Sequence, residues 1–291
     1  MTALPLIREF KDGYGVEVTY YEWPVSKPKG VALIQHGLGD HARRYDHLAL
    51  ALNRAGYSVY ADDHRGHGIT GRKMVASGLT KRLGNLGPGG MKAVFNNAIA
   101  LRDLAAAENA NLPIVLIGHS WGSMIAQRIL DFAAHKFDAV ALTGSTLLLP
   151  GILPTGGFNK KFARAAAQNG HVSSGWDWLS RDPQVGIAMK NDPASFPETA
   201  MQVFGAANAL KLLGTPKRGI PENLPIRLIA GSADPLGGER GNLMLAKAFL
   251  RAGAREVSTV IYDGARHEVF NETNQDEIIA DLIGWLEEAV S

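Results

Sequence analysis

The sequence predicts an α/β fold: a mostly parallel central sheet flanked by helices, with an inserted helical cap. Three observations carry this expectation. Short apolar runs of strand length alternate with longer segments of helical period, which argues for right-handed βαβ crossovers. The runs are apolar on both faces, as strands buried within a parallel sheet are. The alternation then breaks for roughly 80 residues, far beyond an ordinary connection, before it resumes.

Element by element, Gly15 to Val25 alternates as a half-exposed antiparallel edge strand does, and Val31-Ala32-Leu33-Ile34-Gln35 reads as the first buried strand. A helix over Arg44 to Ala55 ends at Gly56. Strand Ser58 to Asp62, helix Met91 to Ala107, strand Pro113 to Gly118, helix Trp121 to Ala134 and strand Phe137 to Thr143 follow. The rhythm stops after Ser145 and returns at Pro225 to Ala230, then helix Asn242 to Ala252, strand Val257 to Tyr262 and helix Gln275 to Ala289 close the chain. In the last helix Ile278, Ile279, Leu282, Ile283 and Leu286 recur at three- and four-residue steps. The expected organisation is a core of residues 1–145 and 223–291, with a cap of residues 146–222.

Composition narrows the chemistry. With 291 residues and 46% hydrophobic content, the chain can build one large core. A net charge of +2, with short basic clusters lacking interleaved aromatics, argues against nucleic acid. Zero cysteines exclude thiol nucleophiles, disulfides and thiolate zinc sites, and the nine histidines include no His-Glu-x-x-His. No metal or cofactor is expected. The N-terminus shows no basic start and no apolar stretch of signal length, so a cytoplasmic protein is expected.

Gly118-His119-Ser120-Trp121-Gly122 lies between an apolar strand and a helix, the context in which G-x-S-x-G marks a nucleophile elbow. A sharp turn there pushes the serine hydroxyl out of the sheet, and glycines on both sides leave room for it. A hydroxyl is a weak nucleophile at neutral pH and needs a base oriented by a third group. In this arrangement the acid and then the histidine arrive on loops after later strands. Asp234 follows the strand ending at Ala230, and His267 follows the strand ending at Tyr262. Ser120, Asp234 and His267 are therefore the candidate triad, with acyl transfer through a covalent intermediate as the expected chemistry. The backbone N–H groups of Trp121 and of Leu38, in the Gly-rich loop after the first buried strand, are the candidate oxyanion donors. The three side chains, sitting on loops, are expected to pack little.

These residues resemble the α/β-hydrolase superfamily, and within it the bacterial type of monoacylglycerol lipase and lysophospholipase-like serine hydrolases. The resemblance rests on His36-Gly37-Leu38-Gly39-Asp40-His41 with Arg44-Tyr45, on Asp63-His64-Arg65-Gly66-His67-Gly68, on the elbow, and on Gly231-Ser232-Ala233-Asp234 and Ala265-Arg266-His267-Glu268. It covers the chain except the cap. Ser123 stands where that group frequently carries glycine, and Trp121 is bulkier than its usual Met or Leu. The resemblance implies a serine esterase acting on apolar acyl or aryl esters, and histidines 36, 41, 64, 67 and 119 supporting the site rather than binding metal.

The cap carries Leu147, Leu148, Leu149, Ile152, Leu153, Phe158, Phe162, Trp176, Trp178, Leu179, Met201, Val203 and Phe204. Of these, Leu147, Leu149, Trp176, Trp178 and Phe204, together with Leu236, are the candidate substrate contacts. A small-molecule ester and transient membrane or micelle contact through the cap are the expected partners. The same constellation serves amide, carbamate, thioester or lactone hydrolysis and acyl transfer, and a non-catalytic ligand receptor on this scaffold is the reading of another class.

Overall fold

The computed structural model describes residues 4–149, 157–168, 170, 172–197 and 199–291. Ile152 and Leu153 lie outside the described residues.

Eight strands form one sheet in the order β1-β2-β4-β3-β5-β6-β7-β8. They are β1 (Leu6–Lys11), β2 (Glu17–Trp23), β3 (Gly30–Gln35), β4 (Tyr57–Asp62), β5 (Ile114–His119), β6 (Ala139–Thr143), β7 (Ile226–Gly231) and β8 (Val257–Tyr262). β1 and β2 are antiparallel, as are β2 and β4, and every later pair is parallel. The mostly parallel α/β architecture expected from the alternation is present.

The strand sequences explain why both faces are covered. Because side chains alternate across a strand, Leu33, Leu116, Val140 and Leu228 join one apolar cluster, while Ile34, Ile117, Ala141 and Ile229 join the other. On the first face pack α3 (Gly90–Glu108), α4 (Trp121–Ala133) and α9 (Gly238–Ala252), through residues such as Val94, Ile125, Ile129 and Phe249. On the second pack α1 (Asp46–Arg54) and α10 (Gln275–Ala289), through Leu48, Leu52, Ile278, Leu282 and Leu286. The remaining core helix, α2 (Gly68–Ala76), follows β4.

Two expectations change. The strand expected to be a half-exposed edge, Glu17–Trp23, is buried along nearly its whole length. β1, whose alternation was not singled out, takes the edge instead and covers it. The helix expected to begin at Asn242 begins at Gly238, placing its first turn four residues after Asp234.

Between β6 and β7 lie α5 (Lys160–Gln168), α6 (Pro183–Asn191), α7 (Ala200–Phe204) and α8 (Ala206–Ala209). Its buried Phe196, Val203, Phe204 and Leu212 belong to the same apolar cluster as α3 and α4 rather than to a core of their own. Polar bonds add to this seam: His41 Nε2 lies 2.6 Å from Asp192 Oδ2, and Phe196 N–H donates to the Gly39 carbonyl at 3.2 Å. Among the described residues, no helix is long and apolar enough to cross a membrane.

Candidate active site

Ser120 sits between the end of β5 and the start of α4 with φ 52° and ψ −119°. Among the described non-glycine residues only Asn111 shares a positive φ. A serine held there stores strain of order 1–3 kcal/mol, which packing on both sides must sustain. The packing leaves no room for side chains at the flanking glycines. A Cβ on Gly122 would lie 2.1 Å from the Gln35 carbonyl oxygen, and one on Gly118 would lie 2.8 Å from that of Gly122. The elbow is thus pressed against the end of β3, which carries the loop with Leu38.

That loop reaches Ser120 directly, since a Cβ placed on Gly37 would stand 3.4 Å from the Ser120 Cβ. Its shape is set by buried polar groups. Asp40 accepts from Gly37 N–H at 3.3 Å, from His41 N–H at 2.7 Å and from the Tyr45 hydroxyl at 2.8 Å. Arg44 makes a two-pronged pair with Glu268 at 2.7 and 2.8 Å and also reaches Asp40 at 3.2 Å. Burial alone would raise both carboxyls, but the Arg44 guanidinium, joined at Asp40 by His41 and the Tyr45 hydroxyl, outweighs it and holds each below its ordinary value.

His267 and Asp234 come together as the chain order predicts: His267 Nδ1 lies 3.0 Å from Asp234 Oδ1. A carboxylate partner places the proton on Nδ1 and leaves the Nε2 lone pair available. Among the described residues His267 Nε2 is buried without a hydrogen-bond partner, so its bond to the Ser120 hydroxyl is not made in this structure. Such bonds commonly tighten only when substrate is bound. The His119 ring, adjacent in sequence to Ser120, lies 4.8 Å from that of His267. Burial, and next to it the neighbouring His267, push His119 down to about 4.

The expectation that these side chains pack little is overturned for two of them, as His267 is 1% and Asp234 6% exposed. The reason is a strap from the segment before α6. His267 N–H donates to the Trp178 carbonyl at 3.4 Å and Glu268 N–H to that of Leu179 at 2.7 Å. Arg181 pairs with Glu272 at 2.8 Å, and the Ser180 hydroxyl donates to the Asn271 carbonyl at 2.8 Å.

The other expected residues fall into two groups. Trp121 is buried between His67, with ring centroids at 4.8 Å, and Phe204, also at 4.8 Å. Leu147 belongs to the same cluster, and the half-buried Leu38, Leu149 and Leu236 pack against it. Trp176 and Trp178 form a separate stacked pair at 6.5 Å, with Trp178 lying against His267 at 4.7 Å. Neither the Leu38 nor the Trp121 backbone N–H is used by another group among the described residues.

Histidines 36, 41, 64 and 67 are engaged with protein groups. His36 Nε2 accepts from His64 N–H at 3.0 Å, so its Nδ1–H donates to the Gly37 carbonyl at 2.8 Å. His67 Nδ1 donates to the Arg65 carbonyl at 3.0 Å, and burial pushes this ring down to about 3. Asp63 accepts from Ala42 N–H, Ile69 N–H and the Tyr21 hydroxyl, tying the end of β4 to β2, to the first turn of α2 and to the turn before α1. Among the described residues no group of three or more His, Asp or Glu is arranged to hold a metal ion. Sequence reasoning missed the buried chain Ser123, Ser145 and Gln127 behind the elbow; its only sequence signal is a serine at position 123.

Residues 26–274 match the family described as serine aminopeptidase, S33. A monoacylglycerol lipase of Mycolicibacterium smegmatis is 31% identical over 282 residues, covering 94% of this chain and 93% of that protein. A monoglyceride lipase of Rattus norvegicus is 26% identical over 96% of this chain and 89% of its own length. Among solved structures, a thermostable carboxyl esterase from Bacillus coagulans in complex with glycerol superimposes with a TM-score of 0.80 at 26% identity, covering all of both chains.

Proposed function

The chain belongs to the serine aminopeptidase, S33 family of α/β-hydrolases, and from that premise we propose that it is a serine hydrolase of carboxylic esters, cleaving lipid esters of the monoacylglycerol type. The observation that carries the assignment is the Asp234–His267 pair with a free, buried Nε2, its ring 4.8 Å from that of His119, the residue before a serine on a strained elbow. The relatives named for monoacylglycerol and carboxyl-ester hydrolysis support the substrate class.

In this reading Ser120 Oγ attacks the acyl carbon while His267 Nε2 takes its proton, and Asp234 holds the imidazole in the tautomer that makes this possible. The Leu38 and Trp121 N–H groups receive the oxyanion. His267 then returns the proton to the departing alkoxide, and water, deprotonated by the same nitrogen, releases the acid from the acyl-serine. No metal or cofactor takes part. Residues 146–222 act as the cap over this site. Leu147, Leu149, Phe204 and Leu236 offer apolar surface to an acyl chain. The exposed Val172, Ile187, Met201 and Leu210 of the cap support transient contact with lipid or micelles.

The family description also names aminopeptidases, whose substrates carry an ammonium group. The acidic groups at the oxyanion loop, Asp40 and Glu268, are buried and both engaged by Arg44, so neither is free to receive a substrate ammonium, which favours the neutral ester. The test is turnover of monoacylglycerols and p-nitrophenyl acyl esters of graded chain length, against aminoacyl p-nitroanilides, by wild type and Ser120→Ala. Ester turnover lost in the variant supports the reading. Equal ester turnover in the two proteins, or preference for the anilides, overturns it.

A further inference from the structure

Behind the elbow, joined to the Ser120 carbonyl, lies a line of buried polar side chains. Ser123 Oγ is 2.6 Å from the Ser120 carbonyl oxygen and 2.9 Å from Ser145 Oγ, and Gln127 Nε2 is 3.1 Å from Ser145 Oγ and 3.2 Å from the Thr146 carbonyl. The direction of every proton in this line is determined. A carbonyl only accepts, so the single Ser123 hydroxyl proton goes to Ser120. Ser145 must then donate to Ser123, and the Gln127 amide, facing two acceptors, donates to Ser145 and to Thr146. The result is a one-way chain, Gln127 to Ser145 to Ser123, ending on one peptide carbonyl. Asn242, at 3.0 Å from the Ser145 carbonyl and 2.7 Å from that of Gly238, fastens it to the helix after the Asp234 loop.

That carbonyl belongs to the peptide whose other half is the Trp121 N–H. In a trans peptide C=O and N–H point in opposite directions, so fixing the carbonyl from behind aims the N–H forward. A hydrogen bond to the oxygen also draws the amide toward its C=N resonance form and makes the N–H a stronger donor. Aligned bonds reinforce one another, by about 10–30% per bond. The backbone N–H groups of Ser123 and Met124 also reach the Ser120 oxygen, at 3.0 and 3.2 Å, but any residue there would supply those. The hydroxyl is what Ser123 adds. The second oxyanion candidate has the same design, since the Gly37 carbonyl, in one peptide with the Leu38 N–H, accepts from His36 Nδ1–H.

We propose that Ser123, held by Ser145 and Gln127, is a positioning residue that polarises and aims the Trp121 N–H at the developing oxyanion. This rests on the esterase reading. It predicts an effect on the tetrahedral state and none on substrate docking, because Ser123 is buried behind the elbow and faces Ser145 rather than the ligand.

The experiment compares wild type, Ser123→Ala and Ser145→Ala in two assays: p-nitrophenyl butyrate hydrolysis, and affinity for an aliphatic trifluoromethyl ketone, which forms a tetrahedral adduct, beside its methyl ketone. Ser123→Ala is expected to lower kcat about tenfold with KM within twofold, and to weaken the trifluoromethyl ketone by a similar factor without changing the methyl ketone. That is less than the 10²–10³ typical of losing an oxyanion donor outright, since the N–H itself stays. Ser145→Ala, which keeps the bond to Ser120 but removes its upstream donor, is expected to lose about threefold. Should Ser123→Ala fail to give a cooperative melt, Ser145→Ala carries the same comparison. An unchanged kcat, or equal losses toward both ketones, overturns the proposal. A wild type with no ester turnover overturns the esterase reading instead, and the ketone affinities still decide the role of Ser123.

Discussion

The indole of Trp178 lies against the imidazole of His267, ring centroids 4.7 Å apart and planes inclined at 35°. Trp178 was expected to be a substrate contact, and its position also puts it beside the proposed base. An aromatic face stabilises a cation beside it, and in the proposed mechanism His267 becomes cationic when it takes the serine proton. Trp178→Ala is therefore expected to lower kcat about tenfold by the same factor for short and long acyl chains, with Trp178→Phe recovering most of it. A loss that grows with chain length would make Trp178 a wall of the pocket instead.

The strain at Ser120 should be visible once chemistry is set aside. Ser120→Ala and Ser120→Gly both lack the proposed nucleophile, but only glycine adopts φ 52° without steric cost. The glycine variant is expected to be more stable than the alanine variant by about 1 kcal/mol. Urea denaturation of the two inactive proteins measures it, and equal midpoints would show an unstrained elbow.

Arg44, with its side chain 12% exposed, holds two buried carboxylates, one of which shapes the oxyanion loop. Removing one partner of a buried pair leaves an uncompensated charge, typically at a cost of about 3–5 kcal/mol. Arg44→Ala should lose stability on that scale and most of its activity with it. Arg44→Met combined with Glu268→Gln should regain more than half of the stability. A surface-like loss below about 1 kcal/mol in chemical denaturation would contradict the pairing.

Burial holds His67 down to about 3 and His119 to about 4, against 6.5 for an ordinary histidine. The folded protein keeps both neutral while the unfolded chain takes up protons as pH falls through 6.5. The unfolded state then binds more protons, so stability is flat above about pH 7 and declines as pH drops toward 4. At pH 5 each ring contributes a loss of about 2 kcal/mol. Melting temperatures from pH 8 to pH 5 should show this decline well before the carboxylates titrate; a flat profile down to pH 5 would mean that the rings charge in place.

Much of this was readable along the chain because it depends on local order. Apolar runs of strand length with helices between them dictate a parallel sheet, and serine, acid and histidine each arrive after a strand at its carboxyl end, where such sheets place their sites. Contacts between segments distant in sequence were not readable. Glu17–Trp23 alternates like an edge strand, yet becomes interior because Leu6–Lys11 adds itself outside it. Nothing in Ala265 to Glu268 announces that Trp178 to Arg181 will strap across it, since that pairing is chosen by chain reversal through the insertion.

The sequence by itself determined the fold class, the three residues proposed for catalysis and their order, because strand period, a glycine-flanked serine and loop position are properties of neighbouring residues. Only the tertiary structure decided which nitrogen of His267 is free, which carboxylates Arg44 pairs with, and that the Ser123 hydroxyl ends a directed chain on the Ser120 carbonyl. Those depend on proton directions and on angstrom-scale approach between groups up to 224 residues apart, which burial enforces and a linear pattern does not carry.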